Sequence, residues 1–516
     1  MSILKKVRKI FEDRNLNEIN SKDFPMPYSM LGVQQASKII ANGIKNNKKL
    51  AIVGDYDVDG VSSTCIFDLF LKKIGFQNYT LKIPNRFSDG YGINKNIIDL
   101  LNADIYITLD NGISAFEAAT YCKEKNKILI ITDHHKPIIK DEQEILPNAD
   151  VIINPNQKEC EFLQKEVCGA VVTWILCGGI KKEMGLDLDM REFSPFITLA
   201  IISDVMPLVS LNRSIYKMGI IRINNSKSTP FDTLKEQFGK IDSQKIGFYI
   251  TPILNSAGRL KDAKLALDFL KETNKKKSKE LFLNLININN ERKTIQNDVF
   301  LSAKNSFIKC KNIVVSYGEG WNEGVLGIVA AKLTDEFNIS SFCFSLKDGI
   351  LKGSGRQKGG INLIASVQKC SNLLLNFGGH SGAVGLSLEL KNLYSFIKIL
   401  DENIILDSNT SKDSELEIDI DDISMELLEL LESYEPYGNG NEMLKFKSNN
   451  LKVIDSMIVG NNHQVLKFKN KACVINSIIF NNKKNFLNKN INIEYFIQRD
   501  KFKNLQLLIT DIKSST

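Results

Sequence analysis

Residues 50–60, LAIVGDYDVDG, join an unbroken apolar run to three closely spaced aspartates. The run LAIV is typical of a strand that is buried on both faces. A helical pattern follows from Val61 to Ile74 and ends at Gly75. A buried strand that leads directly into a helix is half of a βαβ unit. This stretch therefore predicts a parallel α/β sheet with acidic side chains at the carboxyl end of its first strand.

The same pattern recurs downstream. Apolar runs predict further strands at 105–109, 128–131 and 151–153, and a helix is predicted over 114–125. The second strand runs into DNG at 110–112, and the third runs into DHH at 133–135. Because the carboxyl ends of parallel strands meet at one edge of a sheet, we expect these side chains to converge with the aspartates of 55–59.

Clustered carboxylates repel one another unless cations neutralise them. Two divalent ions about 3.5–4 Å apart would polarise a phosphoryl oxygen and generate hydroxide near neutral pH. Imidazole ligands shift the preference from Mg²⁺ toward Mn²⁺, Fe or Zn²⁺. Taken singly, an Asp-x-Asp-Gly segment is usually a turn, and Asp-His-His is often a helix cap with surface histidines. Together they predict a two-metal phosphodiester hydrolase, whereas residues 54–60 lack the GxGxxG pattern of a dinucleotide site.

Composition narrows the class of protein. A chain of 516 residues predicts about three domains. It has no apolar run of about 18 residues or more, so we expect no membrane span. The acidic residues Glu12 and Asp13 and the lack of an apolar segment argue against a signal peptide. Nine cysteines without a CxxC pair favour reduced thiols and a cytoplasmic location. The net charge of +7 permits a polyanionic partner without requiring one.

The rest of the chain divides by pattern. Residues 160–300 are predicted to be mostly helical, with a long polar helix over 271–298. A second α/β segment begins near 313–315 and contains Gly-rich turns. Beyond a turn-rich boundary at 435–440, alternating stretches predict a small antiparallel β domain. Those stretches are 465–469, 491–497 and 505–512.

The ordered motifs DYDVDG (55–60), DNG (110–112) and DHH (133–135) resemble the signatures of the DHH phosphoesterase superfamily. Further motifs resemble the RecJ-type exonucleases within it, over roughly residues 24–445. These are PNRF (84–87), DGYG (89–92), SDVMPL (203–208), NSAGR (255–259), GWNEGVLGIVA (320–330), GSGR (353–356) and GGH (378–380). The resemblance implies hydrolysis of single-stranded DNA from the 5′ end to mononucleotides, in DNA repair and recombination, with two divalent cations, Mn²⁺ or Mg²⁺.

The resemblance also implies roles for individual residues. The implied metal ligands, of which Asp110 would bridge the two ions, are Asp57, Asp59, Asp110, His134 and Asp204. The implied catalytic residues are His135 at the scissile phosphate or the metal shell, Asp55 in support together with Asp133, and His380 facing the substrate from the second domain. The implied substrate contacts are Arg86, Asn255, Arg259, Ser354, Arg356 and His380, and the arginines with Ser354 would form a pocket for the 5′-terminal phosphate.

The residue types in that pocket suit the role. The guanidinium fork matches phosphate geometry, and Gly-rich turns let backbone N–H groups approach an anion. Taken alone, each arginine is as often part of a surface ion pair, and GGH is as often a turn with a solvated histidine. Two positions depart from the family pattern: Asn322 replaces the usual His, and Gln357 replaces the usual Ser. Asn322 retains hydrogen bonding but cannot act as an acid or base near neutral pH.

The fold implied is α/β in five parts. These are an N-terminal extension (1–45), a parallel-sheet DHH domain (46–225), a long helical connector (226–300), a second α/β domain of the DHHA1 type (301–410) and a small antiparallel OB-like domain (411–516). OB-folds bind single strands by a basic groove and aromatic stacking. Phe468, Tyr495 and Phe496 are stacking candidates, although alternation places half of all strand aromatics in the core. The implied partners are single-stranded DNA with a 5′ end, a single-strand-binding protein and a helicase, with no membrane.

Two other functions stay open at this point. A DHH-type phosphodiesterase acting on short oligonucleotides, cyclic dinucleotides or pyrophosphate shares the aspartate and histidine motifs, but such proteins are typically shorter and lack a C-terminal β domain. A non-catalytic nucleic-acid-binding protein is the third. The intact acidic cluster argues against it, because carboxylates weaken DNA binding unless metal is present.

Overall fold

The computed structural model describes residues 2–14, 16–20, 22–140, 142–406, 416–460, 462–471, 474–500 and 502–514. The chain forms two compact units. One comprises residues 25–204 and 219–411, and the other comprises residues 1–24, 205–218 and 412–516. The predicted boundary at 410–411 lies outside the described residues, and the five-part division stays a prediction.

The helices are α1 Ile3–Asp13, α2 Val33–Lys45, α3 Val58–Lys73, α4 Lys95–Leu101, α5 Phe116–Glu124, α6 Gly169–Met184, α7 Ser194–Ser203, α8 Ser210–Asn225, α9 Thr229–Phe238, α10 Ser243–Lys245, α11 Thr251–Leu260, α12 Lys264–Lys271, α13 Lys275–Asn305, α14 Leu326–Phe337, α15 Leu363–Gln368, α16 Leu393–Glu402 and α17 Met425–Ser433. The strands are β1 Leu50–Gly54, β2 Tyr79–Lys82, β3 Ile105–Leu109, β4 Ile128–Thr132, β5 Ile138–Lys140, β6 Gln143–Ile145, β7 Val151–Ile153, β8 Phe307–Lys309, β9 Ile313–Glu319, β10 Ser340–Lys347, β11 Ile350–Arg356, β12 Leu374–His380, β13 Ala383–Glu389, β14 Leu416–Glu417, β15 Phe446–Val459, β16 His463–Lys469, β17 Val474–Ile479, β18 Asn490–Arg499 and β19 Leu505–Ser514.

The first sheet is parallel and has the order β2-β1-β3-β4-β7. Strands β1, β3, β4 and β7 of this sheet are the four that the apolar runs predict. The edge strand β2 was not predicted, since YTLK is short and only half-buried. Helix α3 begins at Val58 rather than Val61 because the Asp57 carboxylate caps it, accepting a hydrogen bond from Gly60 N at 3.1 Å.

The predicted helical connector is present and is longer than its polar pattern indicated. Helix α13 has 31 residues and extends to Asn305, which corresponds to a length of about 46 Å. Its start is set by Asn274, whose side chain accepts a hydrogen bond from Lys277 N at 3.0 Å. Helix α11 packs against it, with Ser256 Oγ at 3.4 Å from Leu285 O.

The second sheet has the order β12-β13-β11-β10-β9-β8, and only β9 and β10 pair in parallel. Strand β11 alternates strictly between its faces. On the inner face, a β-carbon on Gly353 would meet the Phe344 ring at 2.4 Å, and one on Gly355 would meet the Phe342 ring at 2.5 Å. These glycines let the phenylalanines fill the core, and they leave Ser354 and Arg356 on the opposite face.

The C-terminal β domain is a barrel in which β15-β16-β17-β19-β18 close back onto β15. Its pairings are antiparallel except for β17 with β19 and the short β14 with β15, which are parallel. Helix α1 contributes Val7 and Phe11 to the same core. Phe468 and Tyr495 are 1% and 0% exposed. Both point into that core, so as stacking candidates they were wrong, whereas Phe496 is half-buried.

Across the described ranges, no helix combines the length and apolarity that a membrane span requires.

Candidate metal centre and anion pocket

Three carboxylates surround Nε2 of His134. The nitrogen lies 3.2 Å from Asp110 Oδ1, 3.5 Å from Asp204 Oδ2 and 3.6 Å from Asp59 Oδ2. His134 and Asp110 follow β4 and β3, Asp59 lies in the first turn of α3, and Asp204 ends α7. The carboxyl edge of the sheet therefore gathers four of the predicted metal ligands around one small volume.

A second group of ligand atoms lies beside the first. Asp55, Asp57 and Asp110 have carboxylate oxygens within 4.8 Å of one another, and so do the ligand atoms of Asp110, His134 and His135. Asp110 is thus the residue that the two groups share. This is the arrangement that a pair of neighbouring cations bridged by one carboxylate requires.

The local structure of Asp110 fits a cation. Its backbone has a φ of +65°, a left-handed conformation that is strained for a non-glycine residue. Its Oδ1 is buried and has no hydrogen-bonding partner among the described residues. A buried carboxylate oxygen with no donor is costly in protein alone. Oxygen ligands with one imidazole suit Mn²⁺ or Mg²⁺.

The electrostatics of the cluster point the same way. Burial and the charge of Asp57 raise the pKa of Asp55 to about 8 and that of Asp59 to about 7. Burial and the neighbouring aspartates hold the pKa values of Asp110 and Asp204 well above their ordinary range. Burial and the charge of His135 lower the pKa of His134 to about 4, so its imidazole is neutral, as a metal ligand must be.

His135 is held as a cation by Asp133. The Nδ1 atom lies 2.7 Å from Asp133 Oδ1, which also accepts hydrogen bonds from the backbone N–H groups of His134 and His135. Although burial acts in the opposite sense, this contact raises the pKa of His135 to about 10 and lowers that of Asp133 to about 2. A half-exposed imidazolium at the edge of the cluster is suited to contact a phosphate oxygen.

Sequence reasoning missed the residues that hold the DYDVDG and DHH motifs in place. Asp59 Oδ2 accepts from Gly169 N at 2.6 Å and Oδ1 from Ala170 N at 2.8 Å, so the start of α6 orients this carboxylate. Asn154 Nδ2 donates to His135 O at 2.8 Å, and Asn156 donates to His134 O. The available signals were small residues opening a helix and an Asn-Pro-Asn sequence directly after a predicted strand.

Four arginines lie near one another and form a candidate anion pocket: Arg86, Arg259, Arg292 and Arg356. Burial and the charges of the other three lower the pKa of Arg259 to about 10. Within the described ranges, the closest polar contacts of three of them are neutral. Arg259 Nη1 donates to Gly324 O at 3.0 Å, Arg356 Nη1 to Gly355 O at 2.8 Å, and Arg292 Nη2 to Asn289 Oδ1 at 2.6 Å. Clustered cations held by neutral groups favour an anionic ligand.

Arg292 was not among the predicted residues. It lies on α13, is 7% exposed, and also contacts Gln296. Charged runs on long helices are usually solvated. The sequence of α13 therefore gave no reason to select Arg292. The spacing of Asn289, Arg292 and Gln296, three and four residues apart, places all three on one helix face and is the signal that was available.

Ser354 and His380 lie on the open face of the second sheet. Ser354 is in register with Gly385 and Gly378, and Arg356 with Ala383 and His380. A β-carbon on Gly378 or Gly385 would meet nothing within 4 Å, so a flat surface is left open beside the arginines. Burial, with Arg356, Lys136 and His135 nearby, lowers the pKa of His380, which favours the neutral imidazole.

Arg356 and Ser354 also face the start of α14. A β-carbon on Gly327 would meet Arg356 Nη2 at 2.7 Å and Ser354 Oγ at 3.5 Å. Asn322 is engaged nearby, because its Oδ1 accepts from Gly324 N at 2.8 Å and so stabilises the turn that contacts Arg259. Gln357 has a similar local role, since its Oε1 accepts from Gly360 N at 3.1 Å. Both departures from the family pattern therefore serve backbone turns.

The remaining two predicted residues flank the metal-binding loop. The Arg86 guanidinium lies 4.3 Å from the centre of the Tyr56 ring. Asn255 Oδ1 accepts from Val58 N at 2.9 Å and so holds the turn that carries Asp57. The structure thus places Arg86 and Asn255 beside the aspartates, with Asn255 bonded to protein through its oxygen.

Three family models match the chain in order. The DHH family, N-terminal domain, matches residues 49–201, the DHHA1 domain matches 311–405, and the RecJ OB domain matches 414–511. The first covers the parallel sheet and the aspartates and histidines of the candidate metal cluster except Asp204, and the second covers the strands that carry Ser354 and Arg356. The third covers the closed barrel.

Similar proteins include the single-stranded-DNA-specific exonucleases RecJ of three bacteria. That of Haemophilus influenzae is 29% identical over 88% of this chain and 84% of its own length. That of Salmonella typhimurium is 30% identical over 80% of this chain and 77% of its own length. That of Escherichia coli is 31% identical over 70% of this chain and 68% of its own length.

Solved structures share the fold. RecJ from Thermus thermophilus in complex with Mn²⁺ covers 94% of this chain and 72% of its own, with a TM-score of 0.77 at 22% identity. A crystal structure of exonuclease RecJ bound to manganese covers 72% of this chain and 94% of its own, with a TM-score of 0.61 at 26% identity. From its sequence relatives, its three domains and its fold, the chain belongs to the RecJ family.

Proposed function

We propose that this chain is a metal-dependent exonuclease that degrades single-stranded DNA 5′→3′ to mononucleotides, in DNA repair and recombination. The observation that carries the proposal is Asp110, a buried carboxylate shared by two groups of metal-ligand atoms, in the same unit as four arginines, three of which are held by neutral groups. The names of the relatives from Haemophilus influenzae and Escherichia coli, single-stranded-DNA-specific exonucleases, support the same substrate.

Two divalent cations, Mn²⁺ or Mg²⁺, would be held by Asp57, Asp59, Asp110, His134 and Asp204. Asp110 would contribute to both, and the imidazole of His134 favours Mn²⁺ over Mg²⁺. When bound, the cations would polarise a phosphoryl oxygen and lower the pKa of a coordinated water. The RecJ structures solved with Mn²⁺ and with Mg²⁺ support this choice of ion.

The neighbouring side chains bind and orient the scissile phosphate. His135, kept protonated by Asp133 at 2.7 Å, donates a hydrogen bond to a non-bridging phosphate oxygen. Asp55 Oδ1 accepts from Tyr56 N at 2.6 Å, which shapes the loop that presents Asp57. His380 faces the substrate from the second sheet, where its ring hydrogen-bonds the terminal nucleotide.

The polarity of cleavage comes from the anion pocket. Arg86, Arg259, Arg356 and Ser354, with Arg292 added, bind the 5′-terminal phosphate by charge-assisted hydrogen bonds. With that phosphate bound, the next phosphodiester along the strand lies at the aspartate cluster. Each turnover then releases one nucleotide from the 5′ end, and a 3′ end, which carries no terminal phosphate, is not bound in this pocket.

The wider setting follows the family resemblance. We propose a single-strand-binding protein and a helicase as partners, and a cytoplasmic location, which nine cysteines without a CxxC pair also favour. The five-part division of the chain into extension, DHH domain, connector, DHHA1 domain and OB-like domain belongs to the same proposal.

The test uses single strands labelled at either end, incubated with the purified chain and Mn²⁺. A 5′ label should appear at once as mononucleotide, while a 3′ label should pass through a ladder of shortening products. Release from the 3′ end or equal attack on duplex would contradict the proposal. Faster hydrolysis of dinucleotides or cyclic dinucleotides than of long strands would instead favour the phosphodiesterase alternative.

A further inference from the structure

An exposed aromatic side chain lies on an unusual helical turn near the metal centre. Residues Ile246–Ile250 form a π-helical turn that continues directly into α11. Phe248, in the middle of this turn, is 77% exposed. Single π turns are rare and occur frequently at functional sites. A single exposed apolar ring is common on protein surfaces, so what distinguishes Phe248 is its place on this turn.

Helix α11 runs along the metal-binding loop. Asn255 Oδ1 accepts from Val58 N at 2.9 Å, and a β-carbon on Gly258 would meet Tyr56 O at 2.3 Å. One side of α11 is therefore in contact with residues 56–58. At the C-terminal end of the same helix, Arg259 belongs to the anion pocket.

The π turn at the N-terminal end of α11 lies near another predicted metal ligand, Asp204. A β-carbon on Gly247 would lie 3.5 Å from the Ile202 side chain, two residues before Asp204. The π turn thus packs against the end of α7, from which Asp204 projects. Along α11, in order, come the anion pocket, the metal-binding loop and the exposed Phe248.

This order defines the direction in which a bound DNA strand would run along α11. With the 5′-terminal phosphate at Arg259 and the first phosphodiester at the aspartates, the 3′ continuation of the strand leaves toward Phe248. Phe248 precedes Asn255 by seven positions, which corresponds to about 10 Å along the axis. Nucleotides stacked at about 3.4 Å each would cover that distance in about three steps.

We propose that Phe248 stacks on a nucleobase of the DNA strand about two to four nucleotides beyond the scissile bond. The proposal rests on the proposed function. The adjacent Tyr249 is 58% exposed, and its ring lies 6.0 Å from Phe238, which in turn lies 6.2 Å from Phe282. Phe248 is the more exposed of the two rings. Since every base has a π face, such a contact holds the strand without reading its sequence.

The first experiment compares Phe248→Ala with the unchanged chain on 5′-phosphorylated oligonucleotides of 2 to 20 nucleotides with Mn²⁺. Loss of one stacked base should lower kcat/KM by about tenfold on strands longer than six nucleotides. A dinucleotide should be hydrolysed at an unchanged rate. Phe248→Trp should restore the length dependence, and Tyr394→Ala, which removes a ring that is 69% exposed on α16, should change neither rate.

The second experiment locates the contact. Asp110→Asn, which blocks turnover, would be combined with strands that carry 2-aminopurine at nucleotide 3 or nucleotide 10 from the 5′ end. Binding should quench the fluorescence at nucleotide 3, and Phe248→Ala should remove that quenching and leave nucleotide 10 unchanged.

Unaltered rates of Phe248→Ala on long strands, or equal losses on dinucleotide and long strands, would overturn the stacking proposal. Failure of the exonuclease assignment is distinguishable, because the unchanged chain would then fail to degrade the long strand from its 5′ end, whatever its rate on the dinucleotide.

Discussion

A β-carbon built on Gly169 would meet Asp110 Oδ1 at 2.5 Å, so the start of α6 lies directly against the carboxylate that the two ligand groups share. The backbone N–H of the same glycine donates to Asp59 Oδ2 at 2.6 Å. One residue with no side chain thus sets the positions of two candidate metal-binding carboxylates that belong to different elements. Its size, rather than its flexibility, is what the site requires.

Gly169→Ala should therefore disable the metal centre while the fold persists. The added methyl group displaces Asp110, and a misplacement of about 1 Å costs about 100-fold in rate. The measurement is kcat on a 5′-phosphorylated single strand together with Mn²⁺ affinity by calorimetry. Gly178→Ala on the same helix is the control, because its β-carbon would come only to 3.1 Å from the Pro27 ring. Full activity in Gly169→Ala would show that Asp110 tolerates the shift.

Asp110→Asn should abolish hydrolysis and leave strand binding largely intact. The variant removes the shared charge, for which we expect a loss of about 1,000-fold or more in kcat. The arginine pocket is untouched, so the Kd for a 5′-phosphorylated strand should stay within a few-fold. Because the substitution also relieves repulsion among buried carboxylates, the metal-free variant should have a higher Tm than the unchanged chain. Hydrolysis at the normal rate would remove the site assignment.

Arg292→Met should reduce discrimination for a 5′ phosphate. The buried guanidinium would contribute a charge-assisted hydrogen bond to the terminal phosphate, worth roughly tenfold or more in affinity. The readout is the ratio of kcat/KM for 5′-phosphorylated over 5′-hydroxyl strands. Arg222→Met is the matched control, since Arg222 is partly exposed and lies 3.7 Å from Asp189. An unchanged ratio in Arg292→Met would place this residue outside the pocket.

The stability of the metal-free protein should fall as pH rises from 6.5 to 8. Asp59 and Asp55, with pKa values of about 7 and about 8 against an ordinary 3.8, hold protons in the folded state that the unfolded chain has lost. His135, raised to about 10 from 6.5, acts in the same direction. The folded state binds more protons across this window, so raising the pH destabilises it.

Metal should reverse that trend, because cations bind the deprotonated carboxylates and release protons. Thermal unfolding at pH 6.5, 7.5 and 8.5, with chelator or with Mn²⁺, measures how Tm depends on pH in the absence and in the presence of metal. In chelator Tm should decrease with pH, and in Mn²⁺ it should be flat or increase. Asp55→Asn should weaken the dependence in chelator. A Tm that rises with pH in chelator would show that the carboxylates are not held protonated.

Much of the fold was predictable because its causes are local or topological. Buried apolar runs marked β1, β3, β4 and β7, and the rule that parallel strands present their carboxyl ends at one edge brought the aspartates and His134 together. The edge strand β2 escaped because partial burial leaves no apolar run. The start of α3 was misplaced because capping by Asp57 depends on the conformation of a single residue.

Other features depended on burial, which the sequence pattern does not report. Arg292 lies in a charged stretch typical of a solvated helix face, yet tertiary packing buries it. Phe468 and Tyr495 alternate along their strands as exposed or buried aromatics would, and only closure of the barrel decided that both point inward. Phe248 is the opposite case, since its π turn leaves the ring outside.

By itself, the sequence determined the α/β class, the parallel sheet and the set of acidic and imidazole side chains at its edge, because period and strand order are properties of a linear chain. The family resemblance implied Asp110 as the shared carboxylate, and only the tertiary structure decided that the start of α6 lies against Asp110 and orients Asp59. Those contacts join residues as much as 111 positions apart. Their distances follow from how whole elements pack, and no local pattern contains them.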